Sequence, residues 1–221
     1  MSSEHLIFIH GIWSSRASFV QLAARVRKYG YKVHYFDYRS VTRSPEENAA
    51  KLNEFIESID ADKIHLVAHS LGGLVLKHFM HNYSQPSIDK VIMLATPING
   101  SDIAKTLNQH DASRLVLGRA VEKALLGGAP AWPKGRPLAM VAGNKGVGIG
   151  NVILGLKDET FSELSDGVVR LEETMSDEVT HHCVIQESHT MMLFSKSVAK
   201  AVLHYLEHSN FDGLRQKQRV A

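Results

Sequence analysis

Short apolar runs alternate along the chain with longer segments whose apolar positions recur at helical spacing. Several of these runs are continuously apolar, which is typical of strands buried on both faces of a parallel sheet. The predicted strands are Leu6–Ile9, Val33–Phe36, Ile64–Ala68, Val91–Ala95, Leu138–Ala142 and Cys183–Ile185. Regular alternation of strand and helix favours an α/β fold, with a mostly parallel sheet of about six strands and helices on both faces.

The helices between these strands are marked by apolar stripes and by the residues at their ends. The first two stripes are Phe19, Leu22, Ala23 and Val26, followed by Gly30, and Leu52, Phe55, Ile56 and Ile59. Ser44 is expected to cap the second helix, with Pro45 in its first turn and Glu47 completing a capping box. A third helix is predicted to begin at Leu71, and the last helix is predicted to run from about Ser195 to His208.

The composition excludes several classes of protein and leaves an ordinary globular domain. Of 221 residues, 44% are hydrophobic and 22% charged, and the net charge of +2 gives no reason to expect a nucleic acid or an acidic membrane as partner. Cys183 is the single cysteine, so no intramolecular disulfide is predicted. No apolar stretch approaches the roughly 20 residues of a membrane span, and no signal peptide is recognised. We expect one cytoplasmic domain spanning residues 1–221.

The sharpest chemical signal lies where the third predicted strand runs directly into the third helix. The residues at 68–72 are Ala-His-Ser-Leu-Gly, so Ser70 has small residues two positions before and after it. Such a corner strains the serine and lifts its hydroxyl clear of the sheet. Ala68 and Gly72 must be small because the strand and helix backbones pass close together there. The N–H of Leu71, at the helix N-terminus, then points to where an oxyanion would sit.

This corner resembles the nucleophile turn of the α/β-hydrolase fold family, in particular its lipase and esterase branch. The family pattern is Gly-x-Ser-x-Gly, and Ala68 stands at the first glycine, where some lipases of the family also carry alanine. The His-Gly pair at 10–11 resembles the start of the family's oxyanion loop, which implies Ile12 as the second oxyanion donor. His10 itself is expected to be a buried, hydrogen-bonded histidine that shapes this loop.

A serine nucleophile needs a base, and the base needs an acid that orients it. The family order of serine, acid and histidine implies His189 as the base, because it follows the last strand and precedes the last helix. Asp166, in an Asp-Gly pair, resembles the family's acid, with Asp158 and Asp177 as competitors. Each candidate also has a plainer interpretation, since His189 could be a solvated loop residue and an Asp-Gly pair is a common turn.

Several other patterns are weaker. The glycines from Gly143 to Gly150 lack the Lys-Ser/Thr that closes a phosphate-binding loop, and they predict a flexible loop near the site. His181, His182 and Cys183 lie on one strand, where neighbours point to opposite faces, so no metal is expected. His69 is expected to line the site or pack behind it. The segment 96–101 resembles one that runs close behind the serine in lipase-like members of the family. It is expected to line and support the site rather than to take part in catalysis.

The long segment 101–136 lies where family members often insert a cap over the site. Its apolar residues are Leu115, Val116, Leu117, Leu125, Leu126 and Trp132. These residues would either line an acyl pocket or pack a helix onto the sheet, and both interpretations stay open.

The resemblance as a whole implies a serine hydrolase that cleaves small-molecule acyl esters through an acyl-enzyme intermediate. The triad it implies is Ser70, His189 and Asp166, with the N–H groups of Ile12 and Leu71 as oxyanion donors. No cofactor is implied. A thioesterase or amidase with the same triad, or an idle hydrolase fold used for binding, are the alternatives, because fold does not imply function.

Overall fold

One parallel sheet forms the centre of the structure, a computed structural model that describes residues 4–146 and 164–214. Its strands are β1 (His5–Ile9), β2 (Lys32–Phe36), β3 (Ile64–His69), β4 (Ile88–Leu94), β5 (Ala139–Gly143) and β6 (His181–Ile185). They lie in the order β2-β1-β3-β4-β5-β6, and each neighbouring pair is parallel. The predicted α/β sheet of about six strands is therefore confirmed.

Helices cover both faces of this sheet. They are α1 (Val20–Arg27), α2 (Pro45–Glu57), α3 (Leu71–Asn82), α4 (Asp102–Leu107), α5 (Asp111–Leu117) and α6 (Lys196–His208). Alternate residues of β1 enter different cores: Leu6 and Phe8 pack with α1 and α6, whereas Ile7 and Ile9 pack with α2 and α3. This two-sided burial explains why the strand is continuously apolar.

The predicted helix ends are confirmed at α2 and α6. Ser44 Oγ accepts the N–H of Glu47 at 3.2 Å, and the Glu47 carboxylate accepts the N–H of Ser44 at 2.8 Å, which completes the capping box. Ser195 Oγ accepts the N–H groups of Ser197 and Val198 at the start of α6. The first helix is shorter than its apolar stripe, because Phe19 ends a 3-10 turn that precedes α1.

The connections out of β1 and β3 leave in opposite directions across the sheet. The chain passes from β1 to β2 on one side, and after α2 it returns to β3 on the other side of β1. In open parallel sheets, such a reversal leaves a crevice outside the carboxyl ends of the two strands. The loop after β1 and the corner at Ser70 both lie at this edge.

A buried ion pair joins α3 to the segment before β6. Lys77 Nζ lies 2.6 Å from Glu178 Oε2, and the side chain of Lys77 is almost fully buried. The other carboxylate oxygen of Glu178 accepts the backbone N–H of Trp132 at 3.0 Å. The pair therefore joins three separate segments of the chain.

We predict that Glu178→Gln lowers the free energy of unfolding by about 3–5 kcal/mol, because the buried Lys77 ammonium loses its counter-charge. The amide oxygen of glutamine can still accept the Trp132 N–H, so the loss of stability measures the effect of removing the negative charge. Urea denaturation measures the effect. Glu54→Gln, which breaks the exposed pair with Lys51, is the matched control and should cost less than about 1 kcal/mol. Equal losses in the two variants would contradict the prediction.

Candidate active site

Ser70 occupies a strained corner between β3 and α3. Its backbone angles are φ 54° and ψ −124°, a conformation that residues other than glycine rarely adopt. The N–H of Ser70 donates to the carbonyl of Leu94 at 2.9 Å, and its own carbonyl accepts the N–H of Gly73 and the hydroxyl of Thr96, both at 3.0 Å. Contacts with β4 and the residues after it therefore hold the corner.

The corner also requires glycine at position 72. A Cβ atom there would lie 2.6 Å from the carbonyl oxygens of both Ile9 and His10. Ala68 is completely buried on the strand side. The expectation that small residues let strand and helix pass close together agrees with this geometry.

Asp166 and His189 form a hydrogen-bonded pair at the same edge of the sheet. Asp166 Oδ2 lies 2.7 Å from His189 Nδ1, and Oδ1 accepts the N–H groups of Val168 and Val169 at 2.9 and 2.7 Å. The backbone of His189 also donates to the carbonyl of Asp166 at 2.9 Å. Asp166 is 1% exposed, so its carboxylate oxygens are satisfied by protein groups.

The two competing acids are placed differently. Asp177 is exposed and makes no hydrogen bond with His189 among the residues described. Asp158 lies outside the described residues, as does most of the predicted glycine loop.

The prediction that Gly143 begins a flexible loop is wrong, because Gly143 is the last residue of β5. A Cβ atom at this position would lie 2.5 Å from the carbonyl oxygen of Glu187 and 2.8 Å from the Cβ of Asp166. Glycine therefore lets the loops that carry Asp166 and His189 meet over the end of β5. The spacing of glycines along the chain gave no signal for this, because the contact joins distant segments.

His69 connects the serine corner to the histidine loop. Its Nε2 lies 3.2 Å from the carbonyl oxygen of His189, and the two imidazole rings are 4.6 Å apart. Burial, and then the nearby His189, lower the pKa of His69 well below its usual value. His69 is therefore neutral and donates its Nε2–H. Among the described residues no hydrogen bond joins Ser70 Oγ to His189, and His69, which precedes Ser70 in the chain, contacts the loop of His189.

The loop after β1 passes directly beside Ser70. A Cβ atom on Gly11 would lie 3.1 Å from the Cβ of Ser70. His10 is buried, with Nδ1 bonded to the carbonyl of Gly11 at 2.8 Å and Nε2 accepting the N–H of Tyr38 at 3.3 Å. Burial lowers the pKa of His10, as expected for a histidine that shapes the loop. Within the described ranges, the N–H groups of Ile12 and Leu71 have no hydrogen-bond partner.

The apolar residues of the segment 101–136 differ in how they pack. Leu117 and Leu125 pack with Leu71 and Leu74 of α3, and Ile12 lies against the same cluster. The remaining apolar residues differ: Trp132 is buried on the α2/α3 face, Leu126 is partly buried, and Leu115 and Val116 are exposed. The segment therefore packs beside both the serine corner and the loop after β1.

The histidines of β6 point to opposite faces, as predicted. His182 Nε2 hydrogen-bonds the hydroxyl of Thr174 at 2.9 Å, while the ring of His181 packs near Tyr205. Among the described residues, no group of three or more histidine, cysteine or acidic side chains could hold a metal ion. The helices of the described ranges include none with the length and apolar character of a membrane span.

Glu173 fastens the segment that carries Asp166 to the start of α4. Its carboxylate accepts the N–H of Asp102 at 2.6 Å and that of Arg170 at 2.7 Å, and its carbonyl accepts the N–H of Ile98 at 2.8 Å. Burial raises the pKa of Glu173 to about 7. A buried acid thus holds three segments together close to the candidate pair.

We predict that this acid makes the fold less stable as the pH rises. The folded protein binds a proton on Glu173 up to about pH 7, whereas the unfolded chain releases it near pH 4.5, so stability falls between these values. The expected difference is about 3 kcal/mol. Urea denaturation at pH 5 and pH 8 measures it, and Glu173→Gln should remove this component of the pH dependence. An unchanged pH dependence in the variant would refute the assignment.

Comparison with protein families identifies the family of this chain. The family model described as Domain of unknown function (DUF7379) matches residues 1–171, a span that includes Ser70 and Asp166 and ends before His189. No curated protein matches the chain.

Several solved structures are similar to this one. A metagenomic carboxyl esterase superposes with a TM-score of 0.65 at 18% identity, covering 87% of this chain and 66% of the esterase. An esterase from Exiguobacterium antarcticum gives a TM-score of 0.62 at 13% identity, covering 93% of each chain. A lipase-esterase related protein from Clostridium acetobutylicum ATCC 824 gives a TM-score of 0.63 at 13% identity, covering 92% of this chain and 95% of that protein. At such identities the likeness concerns the fold. The chain therefore has the α/β-hydrolase fold and belongs to the family of the domain of unknown function DUF7379.

Proposed function

We propose that this protein is a serine esterase that hydrolyses small carboxylic esters through an acyl-enzyme intermediate. The observation that carries the proposal is the hydrogen-bonded pair of Asp166 and His189, at the sheet edge where Ser70 occupies its strained corner. Similar structures described as esterases support the same class of reaction. In the proposal, the three residues form a triad of nucleophile, base and orienting acid.

The first step is attack of Ser70 Oγ on the ester carbonyl carbon. His189 Nε2 takes the hydroxyl proton as the new C–O bond forms. Asp166 Oδ2 accepts the Nδ1–H of His189, which keeps Nε2 unprotonated and able to act as the base. Because Oδ1 of Asp166 is held by two backbone N–H groups, the carboxylate cannot turn away from the imidazole.

The tetrahedral intermediate carries its negative charge on the former carbonyl oxygen. We assign the free N–H groups of Ile12 and Leu71 as its hydrogen-bond donors. Collapse of the intermediate breaks the C–O bond to the alcohol, which leaves with the proton from His189. A water activated by His189 then attacks the acyl-enzyme, releasing the acid and restoring Ser70.

His69 supports this cycle by remaining neutral. The imidazolium of His189 forms 4.6 Å from the ring of His69, and a second positive charge there would oppose it. The depressed pKa of His69 prevents that, while its N–H holds the backbone of His189. In the proposal, His69 is a positioning residue.

Labelling with a fluorophosphonate, followed by peptide mapping, tests the nucleophile. We expect the label on Ser70, together with turnover of p-nitrophenyl esters whose chain length is varied to measure the acyl pocket. Matched thioester and anilide substrates separate an esterase from a thioesterase or an amidase. A folded protein that takes no label and turns over none of these substrates would contradict the proposal and favour a binding role.

A further inference from the structure

Trp13 adopts a costly backbone conformation directly after the candidate oxyanion donor Ile12. Its φ is +52°, which is unusual for any residue with a Cβ and a marked outlier for a bulky one. The side chain is 53% exposed, so burial of the indole does not account for the strain. Conformations of this kind persist only where surrounding contacts impose them.

Two hydrogen bonds to distant segments hold Trp13 in this conformation. Its backbone N–H donates to Ser40 Oγ at 3.2 Å, and its indole Nε1–H donates to the carbonyl of Val116 in α5 at 3.0 Å. The residue after Ser40 takes part as well, because the carbonyl of Val41 accepts the N–H of Arg119 at 2.8 Å. The loop at 40–41 therefore holds both Trp13 and the chain just beyond α5.

The position of Trp13 bears directly on Ile12. Their N–H groups belong to consecutive peptide units of one turn, and the flexible Gly11 precedes them. If Trp13 relaxed to a negative φ, the neighbouring torsions of Ile12 and Gly11 would have to change to keep the loop joined to β1, and these torsions set the orientation of the Gly11–Ile12 peptide unit. The N–H of Ile12 belongs to that peptide unit and would change direction with it.

We propose that Trp13 is a positioning residue that directs the Ile12 N–H toward the oxyanion. The hydrogen bond from its indole to Val116 makes this orientation depend on the position of α5. The inference rests on the proposed esterase function. It also assigns a role to the segment 101–136: through the carbonyl of Val116, this segment holds the oxyanion loop in its working conformation.

The chain contains two tryptophans, which provides a matched pair of variants. Trp132 also donates its indole N–H to a carbonyl, that of Arg136 at 2.8 Å, but it is 5% exposed and packs in the core on the α2/α3 side of the sheet. Phenylalanine at either position keeps a ring and removes one indole hydrogen bond. The two variants thus lose the same kind of bond, one in the loop after β1 and one in the core.

For Trp13→Phe we expect kcat to fall about tenfold with KM unchanged, because the donor is displaced from the transition state and the substrate site is intact. The midpoint of thermal unfolding should stay near that of the unaltered protein. For Trp132→Phe we expect the opposite: a lower midpoint and an unchanged kcat. Ser40→Ala, which releases the backbone end of Trp13, should lower kcat as Trp13→Phe does.

Binding of phenylboronic acid supplies a readout beyond turnover. Its boron accepts an electron pair from Ser70 Oγ while His189 takes the hydroxyl proton, which gives a tetrahedral boronate anion with one oxygen in the oxyanion position. The inhibition constant should rise in Trp13→Phe by about the same factor as kcat falls. In Trp132→Phe the remaining tryptophan is Trp13, so a change of its fluorescence on boronate binding is expected.

The proposal is overturned if Trp13→Phe keeps kcat and boronate affinity within about twofold of the unaltered protein. It is also overturned if Trp132→Phe loses kcat equally, since the effect would then be general destabilisation. Failure of the esterase function gives a different result: the unaltered protein itself would neither hydrolyse esters nor accept the fluorophosphonate at Ser70.

Discussion

Replacing Ser70 with alanine is expected to reduce ester turnover by up to about a millionfold, because a triad that acts as a unit loses most of its effect with its nucleophile. His189 would then have no hydroxyl to deprotonate, and no acyl-enzyme could form. Steady-state kinetics with a p-nitrophenyl ester measure the loss, and the fluorophosphonate label should disappear with it.

The fold of the Ser70→Ala variant should be preserved. The contacts that hold this corner are made by backbone atoms of Ser70, which alanine retains. Ser58→Ala is the control, since the Ser58 hydroxyl caps the end of α2 by donating to the carbonyl of Phe55 at 2.7 Å and lies on an exposed surface. If Ser70→Ala kept most of its activity, Ser70 would not be the nucleophile.

Asp166→Asn should reduce kcat by about ten thousandfold, the loss that follows when the base is held in the wrong tautomer. Oδ1 of Asp166 accepts two backbone N–H groups, so the amide oxygen of asparagine will take that place and its NH₂ group will face His189. The NH₂ group can only donate. His189 would therefore present an unprotonated Nδ1 to it and carry its proton on Nε2, where it cannot accept one from Ser70.

The pH–rate profile and two further variants test this assignment of the acid. Asp177→Asn changes an exposed residue with no bond to His189 and should leave kcat unchanged. If Asp177→Asn or Asp158→Asn lost most of its kcat while Asp166→Asn remained active, Asp166 would not be the acid. A loss of kcat at every pH of the profile in Asp166→Asn, with Asp177→Asn following the unaltered protein, would support the tautomer argument.

The sheet and the residues brought together at its edge were accessible from sequence for a physical reason. Strands buried on both faces leave continuous apolar runs in the sequence. A serine between such a strand and a helix indicates a tight turn, and this signal is local, so it does not depend on distant segments. The contact between Asp166 and His189 followed from the resemblance and from chain order. Their roles in catalysis stay predictions.

Features set by distant segments could not be predicted from local patterns. The glycine spacing predicts a flexible loop at Gly143, because nothing near it in sequence indicates that Asp166 and Glu187 meet above it. The positive φ of Trp13 depends on Ser40 and on Val116, which is 103 positions away. Steric demands of this kind exist only in the folded chain.

The order of the strands has a consequence for how the protein is made. Beyond the β1/β2 pair, β3 to β6 join the sheet in the order of synthesis, each at the edge left by the previous strand. A domain folds as a unit once enough of its chain has been synthesised. The backbone partners of Ser70, at Leu94 and Thr96, are therefore synthesised well before His189, whose pairing with Asp166 has to await β6, the edge strand made last. A nascent chain stalled before residue 181 would contain Ser70 without the base that we propose for it.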